Sequence, residues 1–161
     1  MIKLILNRIL SRCEFFKEER IYDRKKFIHK YPYNKDKARY MFARTFIKGD
    51  RVLDVACGKG YGSFILSRNK DSLVYGLDLS EKAISFARAN FQNKNLKFYE
   101  GDVYKTGFKN NFFTSIVSIE TIEHLNDHNK FLSELRRILK KDGMLVISSP
   151  ERIIKDRFFD N

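Results

Sequence analysis

Acidic residues stand at or beside the ends of three short apolar runs: Asp54 within residues 52–56, Asp78 after 73–77, and Asp102 after 96–100. The first run leads into Gly58-Lys-Gly60-Tyr-Gly62. Glycine at 58 and 60 removes the Cβ atoms that would keep a ligand off a backbone turn. A helix beginning there presents free N–H groups. A carboxylate four residues before Gly58 repels a pyrophosphate and attracts an ammonium group. Asp78 can accept both hydroxyls of a ribose, at roughly 1.5–3 kcal/mol per charge-assisted bond, and Leu79 can cover the face of a base. Asp102 puts a further acid where an exocyclic amine could bind. The cluster Glu120-x-x-Glu123-His124 leaves three roles open: shaping the rim, general-base action by Glu120 or His124 toward a hydroxyl, or a magnesium site.

These residues need a frame that gathers run ends on one side. Strands are expected over residues 52–56, 73–77, 96–100, 113–119 and 144–148. Helices are expected from the glycine cluster to Arg68, from a Ser80 cap through Asn90, and from an Asn126 or Asp127 cap through Leu139. Strand and helix alternate, and the strands are continuous apolar runs. That pattern implies an α/β fold, a Rossmann-like parallel sheet of about five strands with helices on both faces. Ligands of such sheets bind outside the carboxyl ends of the strands.

Residues 1–50 differ in texture. Ile2, Ile5, Leu6, Ile9, Leu10 and Cys13 recur at helical spacing, with Lys3, Arg8 and Arg12 opposite. Pro32 interrupts a basic, aromatic stretch, after which Asn34 or Asp36 could cap a helix through Ile47. Residues 1–50 are expected to form a helical cap on a core spanning 51–161. They hold 14 Lys/Arg against six Asp/Glu, whereas the remainder holds 18 against 14, so most of the net charge of +12 is N-terminal. This charge suits nucleic acid or a peripheral membrane contact by residues 1–13, but the favoured reading is a solvated, packed segment.

The 161 residues are 43% hydrophobic and 32% charged, enough for one cored domain. Cys13 and Cys57 make no metal or disulfide pattern. No run approaches the roughly 18 apolar residues of a membrane span, and the N-terminus lacks a cleavage site, so the expected location is the cytoplasm.

The run Val52-Leu-Asp-Val-Ala-Cys-Gly-Lys-Gly-Tyr-Gly-Ser63, with Gly76-Leu-Asp78, Gly101-Asp102 and Glu120-Thr-Ile-Glu-His-Leu125, resembles the class I S-adenosylmethionine-dependent methyltransferases over about residues 38–150. The resemblance implies S-adenosyl-L-methionine as cofactor and S-adenosyl-L-homocysteine as product. It implies Asp54 and Gly58 against the methionine part, Asp78 on the ribose hydroxyls, and Asp102 on the adenine amine beside Val103. Ala56, Gly60, Tyr61, Leu79 and Ser118 complete the expected cofactor surface, and Glu120, Glu123 and His124 the expected catalytic group.

No Asn/Asp-Pro-Pro-aromatic motif follows residues 113–119, which argues against methylation of DNA amino groups. Related RNA enzymes with Glu-x-x-Glu-His carry a further histidine beyond the fifth strand. Only His29, His124 and His128 occur here, so magnesium is disfavoured. Lys37-Ala-Arg-Tyr-Met-Phe-Ala43 and residues 57–63 look most like bacterial glycan-pathway enzymes. The expected function is therefore O-methylation of a saccharide or other small metabolite. An RNA 2′-O-methyltransferase and a non-catalytic cofactor-binding module are the alternatives. The family's sheet usually has seven strands. The last two are expected to be lacking here, leaving an edge that a second copy or a partner would complete.

Overall fold

The computed structural model describes residues 34–149. The helical spacing of Ile2 to Cys13, the membrane contact by 1–13 and the stretch after Ser149 lie outside the described residues. Within them the elements are α1 (Asn34–Phe46), β1 (Arg51–Val55), α2 (Tyr61–Leu66), β2 (Leu73–Asp78), α3 (Glu81–Asn90), β3 (Leu96–Glu100), β4 (Phe113–Ile119), a 3-10 turn (Ile122–His124), α4 (His128–Ile138) and β5 (Leu139–Ser148). The strands form one parallel sheet in the order β3-β2-β1-β4-β5. Parallel strands need crossover connections, and the helices supply most of them.

Side chains alternate across each strand, so the sheet feeds two cores. Leu53, Val55, Tyr75, Leu77 and Ile116 meet Phe131, Leu135 and Ile138 of α4 on one face. Val52, Val74, Val117 and Ile119 meet Tyr40, Ala43 and Ile47 of the α1 region and Ile65 and Leu66 of α2 on the other. α3 adds Ile84 and Ala87, packed with Cys57 and Phe98. Part of the segment expected as a cap therefore shares the core of the sheet.

Local chemistry sets the helix starts. The Ser80 hydroxyl accepts from the Ala83 N–H at 3.2 Å, and the Asp127 carboxylate from the Lys130 N–H at 2.8 Å, each capping the helix that follows. α4 is also tied to the β3–β4 connection. The nearly buried Glu134 accepts from the Thr106 N–H and hydroxyl at 2.8 and 2.7 Å, and from Arg137 at 2.7 Å through both Nε and Nη2. The Arg137 guanidinium, helped by Thr106, holds the Glu134 carboxyl down to about 2.

β5 departs from expectation. It begins at Leu139, directly after α4, instead of at Met144. Phe113 pairs with Leu139, but Ser115 pairs with Met144, so residues 140–143 bulge from the ladder. Lys140-Lys-Asp142 has no apolar alternation and reads as loop. The apolar register resumes at Met144. α2 also stops at Leu66, short of the expected Arg68.

Candidate functional site

The connections from β1 and β4 run to opposite sides of the sheet, which opens a crevice at the carboxyl ends of these neighbouring strands. A cleft of about 350 Å³ lies there. Ala56, Asp78, Leu79, Asp102, Val103, Tyr104, Glu120, Thr121, His124 and Leu125 line it. Ala56 and Glu120 directly follow β1 and β4 with φ of 58° and 50°, the left-handed region that side chains rarely adopt. Such backbone costs of order 1–3 kcal/mol per residue and persists where surrounding contacts impose it. Here it turns both strand ends into the wall of one cleft.

Asp78 joins two parts of this wall. Its Oδ2 accepts from the Gly58 N–H at 2.7 Å and its Oδ1 from the Ser80 N–H at 2.9 Å. A carboxylate offers about four lone-pair sites, so acceptor capacity remains toward the cleft. Gly58 has φ 53°, and a Cβ built on it would meet nothing within 4 Å. Its backbone therefore faces open space. Gly60 and Gly62 serve packing instead: a Cβ on Gly60 would strike Ala87 and Phe98, and one on Gly62 would overlap the Tyr40 ring. Asp102 accepts from the Tyr104 N–H at 2.8 Å, forming the turn after β3. Leu79 is 71% exposed, an apolar side chain at the rim beside Val103.

Asp54 lies beneath the loop, fully buried. Its Oδ1 accepts from the Tyr40 hydroxyl at 3.1 Å and its Oδ2 from the Ser63 hydroxyl at 2.6 Å. Burial pushes its carboxyl up to about 7, against the downward pull of the Ser63 and Tyr40 hydroxyls. Burial likewise pushes the Cys57 thiol up, with Asp54 and Asp78 adding to the effect, which favours the uncharged thiol.

Glu120 is held from two directions. Its Oε1 accepts from the Ser148 hydroxyl at 2.9 Å, and its Oε2 lies 3.3 Å from Nη2 of Arg39. His124 is exposed on the 3-10 turn and lines the cleft.

Of the residues expected from sequence, Ala56, Asp78, Leu79, Asp102, Val103, Glu120 and His124 line the cleft, and Gly58 borders it through Asp78. Five others do not line it. Asp54 shares the α1 face of β1 with Val52 and points under the loop. Gly60 is closed off by Ala87 and Phe98. Tyr61 packs edge-on against Phe91, with ring centroids 6.2 Å apart. Ser118 lies buried within β4 with no hydroxyl partner among the described residues. Glu123 is half-buried, its Oε2 likewise without a partner. Tyr104, Thr121 and Leu125 line the cleft without having been expected, and Arg39 of α1 pairs with Glu120 in its wall, while Tyr40 reaches Asp54 beneath the loop. The run Ile122–Leu125 carries a legible signal for Leu125. The α1 contacts carry none, being separated by 14 residues from Asp54 and far more from Glu120.

The profile of a family described as a methyltransferase domain matches residues 53–147. This chain belongs to that methyltransferase family. S-Adenosylmethionine is the cofactor of the class. The chain is 32% identical over 105 residues to the fatty-acid O-methyltransferase of Mycolicibacterium smegmatis, covering 65% of this chain and 38% of that protein. It is 36% identical over 102 residues to phosphoethanolamine N-methyltransferase 3 of Arabidopsis thaliana, covering 62% and 21%. The chain thus spans well under half the length of these curated relatives. Among solved structures it is similar to the PH0226 protein of Pyrococcus horikoshii, with TM-score 0.67 and 28% identity over 82% of this chain and 69% of that one. It is also similar to a SAM-dependent methyltransferase from Aquifex aeolicus, with TM-score 0.60 and 26% identity over 70% and 62%. Among the described residues no helix is long and apolar enough to cross a membrane.

The cleft fits the cofactor of this family. Open space over Gly58 admits a ligand against the backbone, Asp78 and Asp102 offer acceptors, and Leu79 with Val103 offers apolar surface between them.

Proposed function

We propose that this methyltransferase binds S-adenosylmethionine along the ends of β1, β2 and β3 and methylates an oxygen of a small-molecule acceptor, a saccharide hydroxyl being the acceptor class. The observation that carries this reading is the Asp78–Gly58 hydrogen bond. It joins a glycine turn with open space above it to a carboxylate at the next strand end. Asp78 accepts the ribose hydroxyls with its remaining lone pairs, Asp102 accepts from the adenine amine, and Leu79 and Val103 flank the ring. The cofactor, when bound, supplies a methyl group on a positively charged sulfur. Holding the acceptor in line with that group supplies much of the rate enhancement, and excluding water helps because charge is lost in the step.

The oxygen assignment rests on Glu120 and His124. Both line the cleft and can take the proton that a hydroxyl loses. Ser148 and Arg39 keep Glu120 oriented. The saccharide assignment is supported by the resemblance of residues 37–43 and 57–63 to glycan-pathway enzymes. One relative is named for an oxygen acceptor and another for an amine, so the test must separate the two.

Incubation with methyl-labelled S-adenosylmethionine and a panel of monosaccharides, fatty acids and ethanolamine phosphates, read by mass spectrometry, makes that separation. Label on a sugar oxygen is the expected result. Label on nitrogen alone overturns the oxygen assignment, and label on a carboxylate alone overturns the saccharide assignment. Failure of S-adenosylhomocysteine to bind in a calorimetric titration overturns the cofactor site.

A further inference from the structure

We propose that Tyr40 of α1 is a positioning residue of the cofactor site: its hydroxyl holds the buried Asp54 carboxylate beneath the glycine turn and tunes the grip on the cofactor's amino-acid end. The proposal rests on the cofactor reading above.

Three observations place α1 in the site instead of over it. The Tyr40 ring lies flush on Gly62, where even a methyl group would overlap it, so helix and glycine turn pack as one unit. The Tyr40 hydroxyl reaches Asp54 Oδ1 at 3.1 Å inside the core, where each partner is buried. The neighbouring Arg39 pairs with Glu120, so two consecutive residues of α1 touch the ends of both β1 and β4.

Tyr40 and Ser63 supply hydroxyl donors to the two Asp54 oxygens, one each. A buried carboxylate stripped of a donor favours its neutral form. The groups facing Asp54 are Tyr40 from α1, Ser63 from α2, Cys57 in the glycine turn and Asp78 from β2. Burial is the largest influence and raises the Asp54 carboxyl. The hydroxyls of Ser63 and Tyr40 oppose it, and the charge of Asp78 reinforces it. Losing the Tyr40 hydroxyl therefore leaves Asp54 neutral over a wider pH range. A neutral Asp54 no longer attracts the ammonium of the cofactor's amino acid, an attraction that low-dielectric surroundings strengthen.

Calorimetric titration of S-adenosylhomocysteine between pH 5.5 and 8.5 tests this, with wild type, Tyr40→Phe, Asp54→Asn and Thr45→Ala compared. Thr45 is the α1 control, exposed and bonded to the Phe42 carbonyl. Wild-type affinity should rise with pH as Asp54 ionises. Tyr40→Phe should bind about three- to tenfold more weakly at pH 7.5, with its midpoint displaced upward. Asp54→Asn should lose the pH dependence, and Thr45→Ala should match wild type.

Circular dichroism melts verify that each variant is folded at the titration temperature. Should Tyr40→Phe not fold, 3-fluorotyrosine placed at position 40 by amber suppression keeps the shape and strengthens the donor. It should move the midpoint down. A folded Tyr40→Phe, or a fluorotyrosine variant, with wild-type affinity and midpoint overturns the proposal. A wild-type protein that does not bind at any pH refutes the cofactor reading instead, and this proposal falls with it.

Discussion

Replacing Asp78 with alanine removes two kinds of interaction at once. Two bonds are internal: the Gly58 N–H at 2.7 Å and the Ser80 N–H at 2.9 Å both lose a charged acceptor. Asp78 is only partly buried, so water can replace it, and the loss to stability should be about 1 kcal/mol, a few degrees in melting temperature. The other bonds are those to the ribose hydroxyls. Two charge-assisted bonds at roughly 1.5–3 kcal/mol each, offset in part by water entering the emptied site, put the loss at about 3 kcal/mol. At about 1.4 kcal/mol per factor of ten, that is about a hundredfold in Kd. Asp78→Asn keeps one carbonyl acceptor and should lose about tenfold. Titration calorimetry with S-adenosylhomocysteine reads both variants directly. A folded Asp78→Ala protein that binds within about threefold of wild type would refute the assignment, since the loop bonds alone cannot produce the larger effect.

The glycines separate ligand space from packing space. Gly58→Ala meets no protein atom and strains only the left-handed turn, about 1–2 kcal/mol, yet should weaken S-adenosylhomocysteine more than tenfold in the same titration. Gly62→Ala collides with the Tyr40 ring and should act first on stability, lowering denaturant resistance by about 1–3 kcal/mol. The Glu134 network predicts an acid limb. Its folded value near 2 lies below the ordinary carboxyl value, so its stabilisation is complete above about pH 5 and is lost as pH falls through 2. Discounted for the solvent that screens its Arg137 partner, the contribution is about 1–2 kcal/mol. Urea unfolding at pH 5 and pH 2.5 should show a smaller drop for Glu134→Gln than for wild type, and equal drops would sink the idea.

The strands that carry the site were legible because buried parallel strands are short apolar runs, and each ended in residues that apolar packing does not call for. The same locality made the caps legible, since Ser80 and Asp127 act on N–H groups only three residues away. β5 was misplaced at its start because Lys140–Asp142 bulge out of the ladder and leave no alternation to read.

Asp54 marks where reading the sequence stopped. Its distance from Gly58 announced a carboxylate in the site, and its alternation with Leu53 and Val55 placed it on the face shared with Val52. Which groups would fill that face is another matter. Tyr40 and Ser63 surround the carboxylate because α1 and α2 pack on that face, and burial there raises its carboxyl to about 7. The pairing of Arg39 with Glu120 is likewise a product of that packing.

The sequence by itself determined the residue types at the strand ends, because those signals sit within a few residues of one another. Only the tertiary structure decided which carboxylates face the cleft and which lie beneath it. Exposure and proton affinity depend on neighbours brought together by packing, not on neighbours along the chain.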